Sequence, residues 1–170
     1  WGMQIVNALT GYKRTFKGAL AGEIFTQLGQ TDYAAEIAQI RASGADSIFF
    51  FLPGGMGINF LKQYAQAGLN QSIPVFGPAF SFDARILKAV GDAALGVHNG
   101  SQWNHDLDNP ANQAFVAAFR AKYGRMPTLY ASQGYDTANL IGSALKATAG
   151  KPENMDAFRA ALKQADFDSV

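Results

Sequence analysis

Five apolar residues in unbroken succession, Ile48-Phe49-Phe50-Phe51-Leu52, run directly into Pro53-Gly54-Gly55-Met56-Gly57. A run of strand length with no polar interruption reads as a strand buried on both faces, as in the middle of a parallel sheet. Glycines that follow such a strand stand where parallel α/β sheets hold their ligands, outside the carboxyl ends of the strands. This one stretch therefore predicts a fold and a place for a binding site within it.

Helix and strand patterns alternate along the rest of the chain, with short punctuation between them. Trp1 to Phe16 has helical spacing and Gly18 follows as its stop. Ala19 to Thr26 reads as a strand, and Thr31 or Asp32 caps a helix that runs to Gly44. Ser47 to Leu52 is the second strand, followed by a helix carrying Ile58, Phe60, Leu61, Tyr64 and Ala65 that ends at Gly68. Ile73 to Phe76 is the third strand, Asp83 caps the next helix, and Val97 to Trp103 is the fourth strand. Asn109-Pro110 opens a helix bearing Phe115, Val116, Phe119 and Tyr123. Thr128 caps a long helix that runs to about Ala147, and Asn154 to Ala165 completes the pattern. The repeated βα unit predicts an α/β fold, a doubly wound, mostly parallel sheet flanked by helices. Three segments then face one crevice: Leu52 to Gly57, Gly77 to Phe82, and Gly100 to Trp103. They are small, apolar and aromatic, which suits binding better than proton transfer.

At 170 residues and 48% hydrophobic content the chain is expected to form one domain. Fourteen Lys and Arg balance thirteen Asp and Glu, for a formal charge of +1, and no basic cluster stands out, so nucleic acid is not an expected partner. With no cysteine, disulfides and thiolate chemistry are excluded. The chain opens on Trp1, already at helical spacing, and closes on Phe167-Asp168-Ser169-Val170 without a capping signal. Both ends therefore read as truncations.

The known catalytic patterns are each incomplete in this chain. Gly55-Met56-Gly57 supplies half of a dinucleotide fingerprint, but Phe60 stands where the third glycine belongs. No Gly-Lys-Ser/Thr occurs, and a nucleophile elbow at Ser132 is spoiled by Tyr130 in place of the leading glycine. No cofactor is expected. His98 and His105 read as structural or solvent-facing, and Asp106 and Asp108 as loop or capping residues, so no metal site is expected. A hydrolase using Ser81 or Ser101 is a minor alternative, since neither serine has a base placed beside it. Phe49, Phe50 and Phe51 read as core, whereas Phe80, Trp103 and Tyr130 fall at element ends where some are expected to meet ligand.

The succession Gly29-Gln30-Thr31-Asp32-Tyr33, Ala38-Gln39-Ile40-Arg41, Phe51-Leu52-Pro53-Gly54-Gly55, Gln66-Ala67-Gly68-Leu69, Gly134-Tyr135-Asp136 and Ala144-Leu145 resembles the periplasmic solute-binding proteins of branched-chain-amino-acid-type ABC transporters. The resemblance runs the length of the chain and is to one lobe of a type I periplasmic binding protein, the carboxyl-terminal lobe. It implies that residues 1–170 are a single lobe, truncated at both ends, whose amino-terminal partner lobe is absent. Such proteins close two lobes over a small solute, deliver it to an ABC permease in the membrane and perform no chemistry. The implied location is the periplasm. A ligand-sensing lobe of a receptor or regulator is the alternative use of a related fold.

By this resemblance Pro53, Gly54 and Gly55 offer backbone and shape to the ligand, Tyr130 lines the pocket and Gln133 lies one turn on. Ser101, in the third crevice segment, completes the candidate set together with Ala79 and Phe80. Amino-acid-binding members place an acid in the loop after Gly77-Pro78 to pair with the ligand's ammonium group; here Ala79 and Phe80 stand there. A buried ammonium without that carboxylate is costly, so an aromatic carboxylate that stacks on Phe80 is at least as well suited as leucine.

Overall fold

The computed structural model describes residues 18–170; the predicted helix from Trp1 to Phe16 lies outside them. The described residues form two compact units, divided between Gly100 and Ser101.

In the first unit, α1 (Ala34–Ala42), β1 (Ile48–Phe49), α2 (Gly55–Gln66), β2 (Val75–Pro78), α3 (Ala84–Val90) and β3 (His98–Gly100) follow in order. The three strands are parallel and neighbours in sequence order, with Ile48 opposite Val75 and Phe76 opposite His98. Parallel neighbours need crossovers, and α2 and α3 supply them; the two helices pack on one another and so share a face of the sheet. Between them and the strands lies the core, built on Phe50, Leu52, Phe60, Leu61, Val75 and Phe82. Phe50 stacks on Phe60 at 5.2 Å and meets Phe82 edge-on at 5.1 Å. α1 joins this core through Tyr33, Ile37 and Ile40. Tyr64 is buried beneath it and donates its hydroxyl to the Ile73 carbonyl at 3.0 Å, and burial pushes its phenol up to about 12.

Two expectations are corrected. Ala19–Thr26 forms no strand: no ladder partner exists among the described residues, and Leu20, Ile24 and Phe25 are exposed. Strand propensity is realised only where a neighbour pairs the backbone and a face is covered. The apolar run Ile48–Leu52 is not buried on both faces either. Phe50 and Leu52 enter the core, while Phe49 is 43% exposed and Phe51 only half-buried. The same alternation governs β2, where Val75 and Gly77 are buried and Phe76 is 41% exposed. His98 stacks on Phe76 at 5.0 Å along this outer row.

The second unit holds α4 (Pro110–Tyr123), α5 (Leu129–Ala147) and α6 (Met155–Lys163), with α5 packed against α6. Each starts as its sequence predicts: Asn109, Thr128 and Asn154 accept hydrogen bonds from the amides of Asn112, Ala131 and Ala157. Its core is aromatic, with Phe115 meeting Trp103 at 6.1 Å and Tyr135 at 4.7 Å. No helix among the described residues is long and apolar enough to cross a membrane.

Candidate functional site

In the first unit, five of the predicted site residues gather at the carboxyl edge of the sheet. β1 delivers the turn Pro53-Gly54-Gly55, all three residues exposed. Gly54 holds φ 63° and ψ −135°, a conformation that a side chain would strain. α2 begins at once, with no side-chain cap and no acid in its first turn. A β-carbon on Gly57 would run into the Leu52 carbonyl oxygen, so glycine there lets the first turn of α2 sit directly on the strand end.

β2 delivers the second turn, a short 3-10 stretch at Ala79–Ser81. Ala79 is buried and Phe80 half-buried. The two turns are joined across 29 residues: the Leu52 amide donates to the Ser81 hydroxyl at 3.3 Å, and Ser81 is fully buried. Gly77 adds a second close approach, since a β-carbon there would stand 2.7 Å from the Phe50 carbonyl oxygen and 2.8 Å from the Phe82 ring. Pro53 to Gly55 and Ala79 to Phe80 are thus two parts of one braced surface.

Neither turn carries an acid of its own. Asp83 comes next in sequence, and its carboxylate is committed. Oδ1 accepts from the amides of Arg85 and Ile86 at 2.8 and 3.1 Å, capping α3, while Oδ2 takes the Arg85 guanidinium at 3.3 Å. With the group 9% exposed, that carboxylate serves the helix rather than a solute.

In the second unit, Tyr130 and Gln133 lie one turn apart near the start of α5, Tyr130 exposed at 44% and Gln133 half-buried. The adjoining face of that turn is anchored by buried Leu129 and by Ser132, whose hydroxyl donates to the Leu129 carbonyl at 2.8 Å. Ser101 stands apart from them in sequence, with its hydroxyl tied to Trp103: it donates to the Trp103 carbonyl at 2.6 Å and accepts from the Trp103 amide at 3.2 Å. Trp103 itself is core. Its indole N–H donates to Asn112 Oδ1 at 2.8 Å, and Asn112 in turn donates to the carbonyls of His105 and Leu107 at 3.2 and 3.0 Å. Asn112, fully buried, shapes the whole loop after β3, a role for which the sequence carries no signal beyond its place three residues after a cap. His105 is exposed in that loop, and Asp108 accepts from the Gln113 side chain at 3.0 Å. No cluster of three or more potential metal ligands occurs among the described residues.

The surface formed by the two turns of the first unit is small, apolar and aromatic in composition. It offers backbone amides at the start of α2, an aromatic at Phe80 and close-packed glycines, and it places no uncommitted carboxylate in either turn of the first unit.

Comparison with known proteins gives the following. Residues 1–170 match the family model described as "Periplasmic binding protein". The Leu/Ile/Val-binding protein homolog 6 of Brucella melitensis is 32% identical over 162 residues, 91% of this chain and 42% of its own length. A solute-binding protein of an ABC transporter from R. palustris, solved in complex with benzoate, is 33% identical with a TM-score of 0.84, covering 94% of this chain and 44% of that one. Another, from Rhodopseudomonas palustris BisB5 and solved with 3,4-dihydroxybenzoic acid, is 37% identical with a TM-score of 0.73, covering 91% of this chain and 43% of that one. The chain thus spans about two fifths of the length of the curated relatives that it matches.

Proposed function

The chain belongs to the periplasmic binding protein family, the solute-binding components of ABC transporters, and from that premise we propose that it is one lobe of a receptor for an aromatic carboxylate. The observation that carries this reading is the turn after β2. Ala79 and Phe80 occupy it, and the nearest acid in sequence, Asp83, is consumed by the cap of α3 and by Arg85. An α-ammonium brought to this surface would lose water and find no free carboxylate in either turn. A benzoate-like solute brings no ammonium; its ring can lie on Phe80, and its carboxylate can be met by amide groups.

Solved relatives at 33% and 37% identity hold benzoate and 3,4-dihydroxybenzoic acid, which supports the same solute class. In this reading Pro53, Gly54, Gly55, Ala79 and Phe80 are the contacts that the first unit offers the solute, and Tyr130 and Gln133 are separate candidates on α5 of the second unit. Ser101 contributes through the Trp103 turn that its hydroxyl holds. An amino-terminal lobe of the same protein supplies the opposing surface, the two lobes close over the solute, and the closed form hands it to a permease from the periplasm. The lobe performs no chemistry on its cargo.

The test is a thermal-shift and calorimetric comparison on the full-length protein that carries this chain, using benzoate, 4-hydroxybenzoate and leucine. Binding to the native state alone stabilises it by mass action, about 2.7 kcal/mol at a solute concentration one hundred times Kd. A rise in midpoint with the benzoates and none with leucine is the expected result. Stabilisation by leucine alone overturns the aromatic reading and favours the solute in the Brucella relative's name.

A further inference from the structure

We propose that Ser81 is a positioning residue for the Pro53–Gly55 turn: its hydroxyl replaces a strand carbonyl and thereby fixes the direction in which β1 delivers that turn to the solute. The inference rests on the ligand reading of the turn and goes beyond it by naming what holds the turn in place.

The ladder between β1 and β2 advances two residues at a time. The Ile48 amide donates to the Pro74 carbonyl at 3.0 Å and the Phe50 amide to the Phe76 carbonyl at 2.9 Å. The next bond in register would run from the Leu52 amide to the carbonyl of Pro78. It does not form. Pro78 is the last extended residue, at φ −81° and ψ 158°, and the chain then winds into the turn at Ala79–Ser81. The Leu52 amide meets the Ser81 hydroxyl instead, at 3.3 Å. One side chain thus continues the pairing after the backbone of β2 has turned away.

This bridge has little freedom to move. Gly77 packs its backbone against the Phe50 carbonyl, Phe50 and Phe82 meet edge to face at 5.1 Å, and Gly57 seats α2 on the Leu52 carbonyl. Ser81 has no exposed surface, so its hydroxyl serves the backbone and not a substrate. A buried amide at Leu52 that loses its acceptor must either stay unpaired or drag the turn toward Pro78. Either outcome displaces Pro53, Gly54 and Gly55, the residues proposed to meet the solute.

The experiment uses the full-length protein that carries this chain, with benzoate as probe. Ser81→Ala is expected to weaken benzoate binding by about tenfold, the equivalent of one hydrogen bond, in protein that remains folded by circular dichroism. Ser81→Thr keeps the hydroxyl and is expected to retain most of the affinity. A serine with a purely structural role would lower the melting midpoint and leave benzoate affinity within about twofold of the unmodified value, and that result overturns the proposal alone. Absence of benzoate binding by the unmodified protein overturns the ligand reading and this proposal with it. Hydrogen exchange in the unmodified protein decides the matter if Ser81→Ala does not fold. The Leu52 amide, although it lies beyond the last ladder bond, should exchange at least about tenfold more slowly than those of Gly54 and Gly55, and equal rates overturn the proposal.

Discussion

Two loops that follow strands in this chain are each organised by one fully buried polar side chain, yet in opposite ways. Ser81 reaches across 29 residues and ties the end of β1 to the turn after β2. Asn112 reaches back only 5 residues to Leu107 and 9 to Trp103, and so closes a loop on itself. The first bond joins two separate pieces of surface. The second gives a single loop its shape and tells nothing to its neighbours. Buried polar groups of equal satisfaction can therefore differ in reach: one is local, and the other links segments far apart in sequence.

The largest expected effect tests the local half of this contrast. Asn112→Ala removes the acceptor for the Trp103 indole and the donor to the carbonyls of His105 and Leu107, leaving buried groups unpaired, and should destabilise the second unit by about 3 kcal/mol in urea denaturation. Exchange at the Leu52 amide should not change. If it quickens, the two loops are not independent and the contrast fails. Gly57→Ala comes next, because the added methyl meets backbone rather than a yielding side chain. A cost of about 2 kcal/mol is expected, with faster exchange at Leu52. Gly134→Ala, on α5 with nothing within 4 Å of the new β-carbon, is the matched control and should be neutral or slightly stabilising.

A further test is alkaline. Burial holds the Tyr64 phenol neutral, raising it from 10.0 to about 12, so the folded state keeps its proton more tightly than the unfolded chain. The stability this confers is complete below pH 10 and is lost as the pH climbs from there to about 12. Urea midpoints measured across that window should fall, and Tyr64→Phe should flatten the decline. Since Tyr64 belongs to the same core as Phe50 and Leu52, protection at Leu52 should fade in parallel.

Much of the helical framework was legible in the sequence because its signals are local. Asp83, Asn109, Thr128 and Asn154 cap the helices they precede, and Gly68 and Gly124 follow helices at φ 74° and 64°, where glycine is favoured. Strands were harder, since a strand is defined by a partner elsewhere. Ala19–Thr26 has the composition of one and no ladder among the described residues. In Ile48–Leu52 the chemistry is uniform while the burial alternates, so nothing in the residue types distinguishes Phe49 from Phe50. The position of the candidate turns could be read from the glycines after β1, because close approach demands glycine at Gly57. Ser81 was legible only as a serine near the site. Its link to Leu52 depends on the register of β1 against β2 and on where β2 stops, and neither is written in any short stretch of chain.

The glycines of this surface also bear on how its preference can drift over generations. A side chain at Gly54 meets a forbidden dihedral, at Gly57 a carbonyl, and at Gly77 a carbonyl and a ring. These positions tolerate almost no variation, so they form a fixed rim. Pro53 is exposed and Phe80 half-buried, so neither position is closed off by the backbone as the glycines are. Within the proposed surface of the first unit, descendants of this chain that take up new solutes should carry their changes at those two positions, on an unaltered glycine frame.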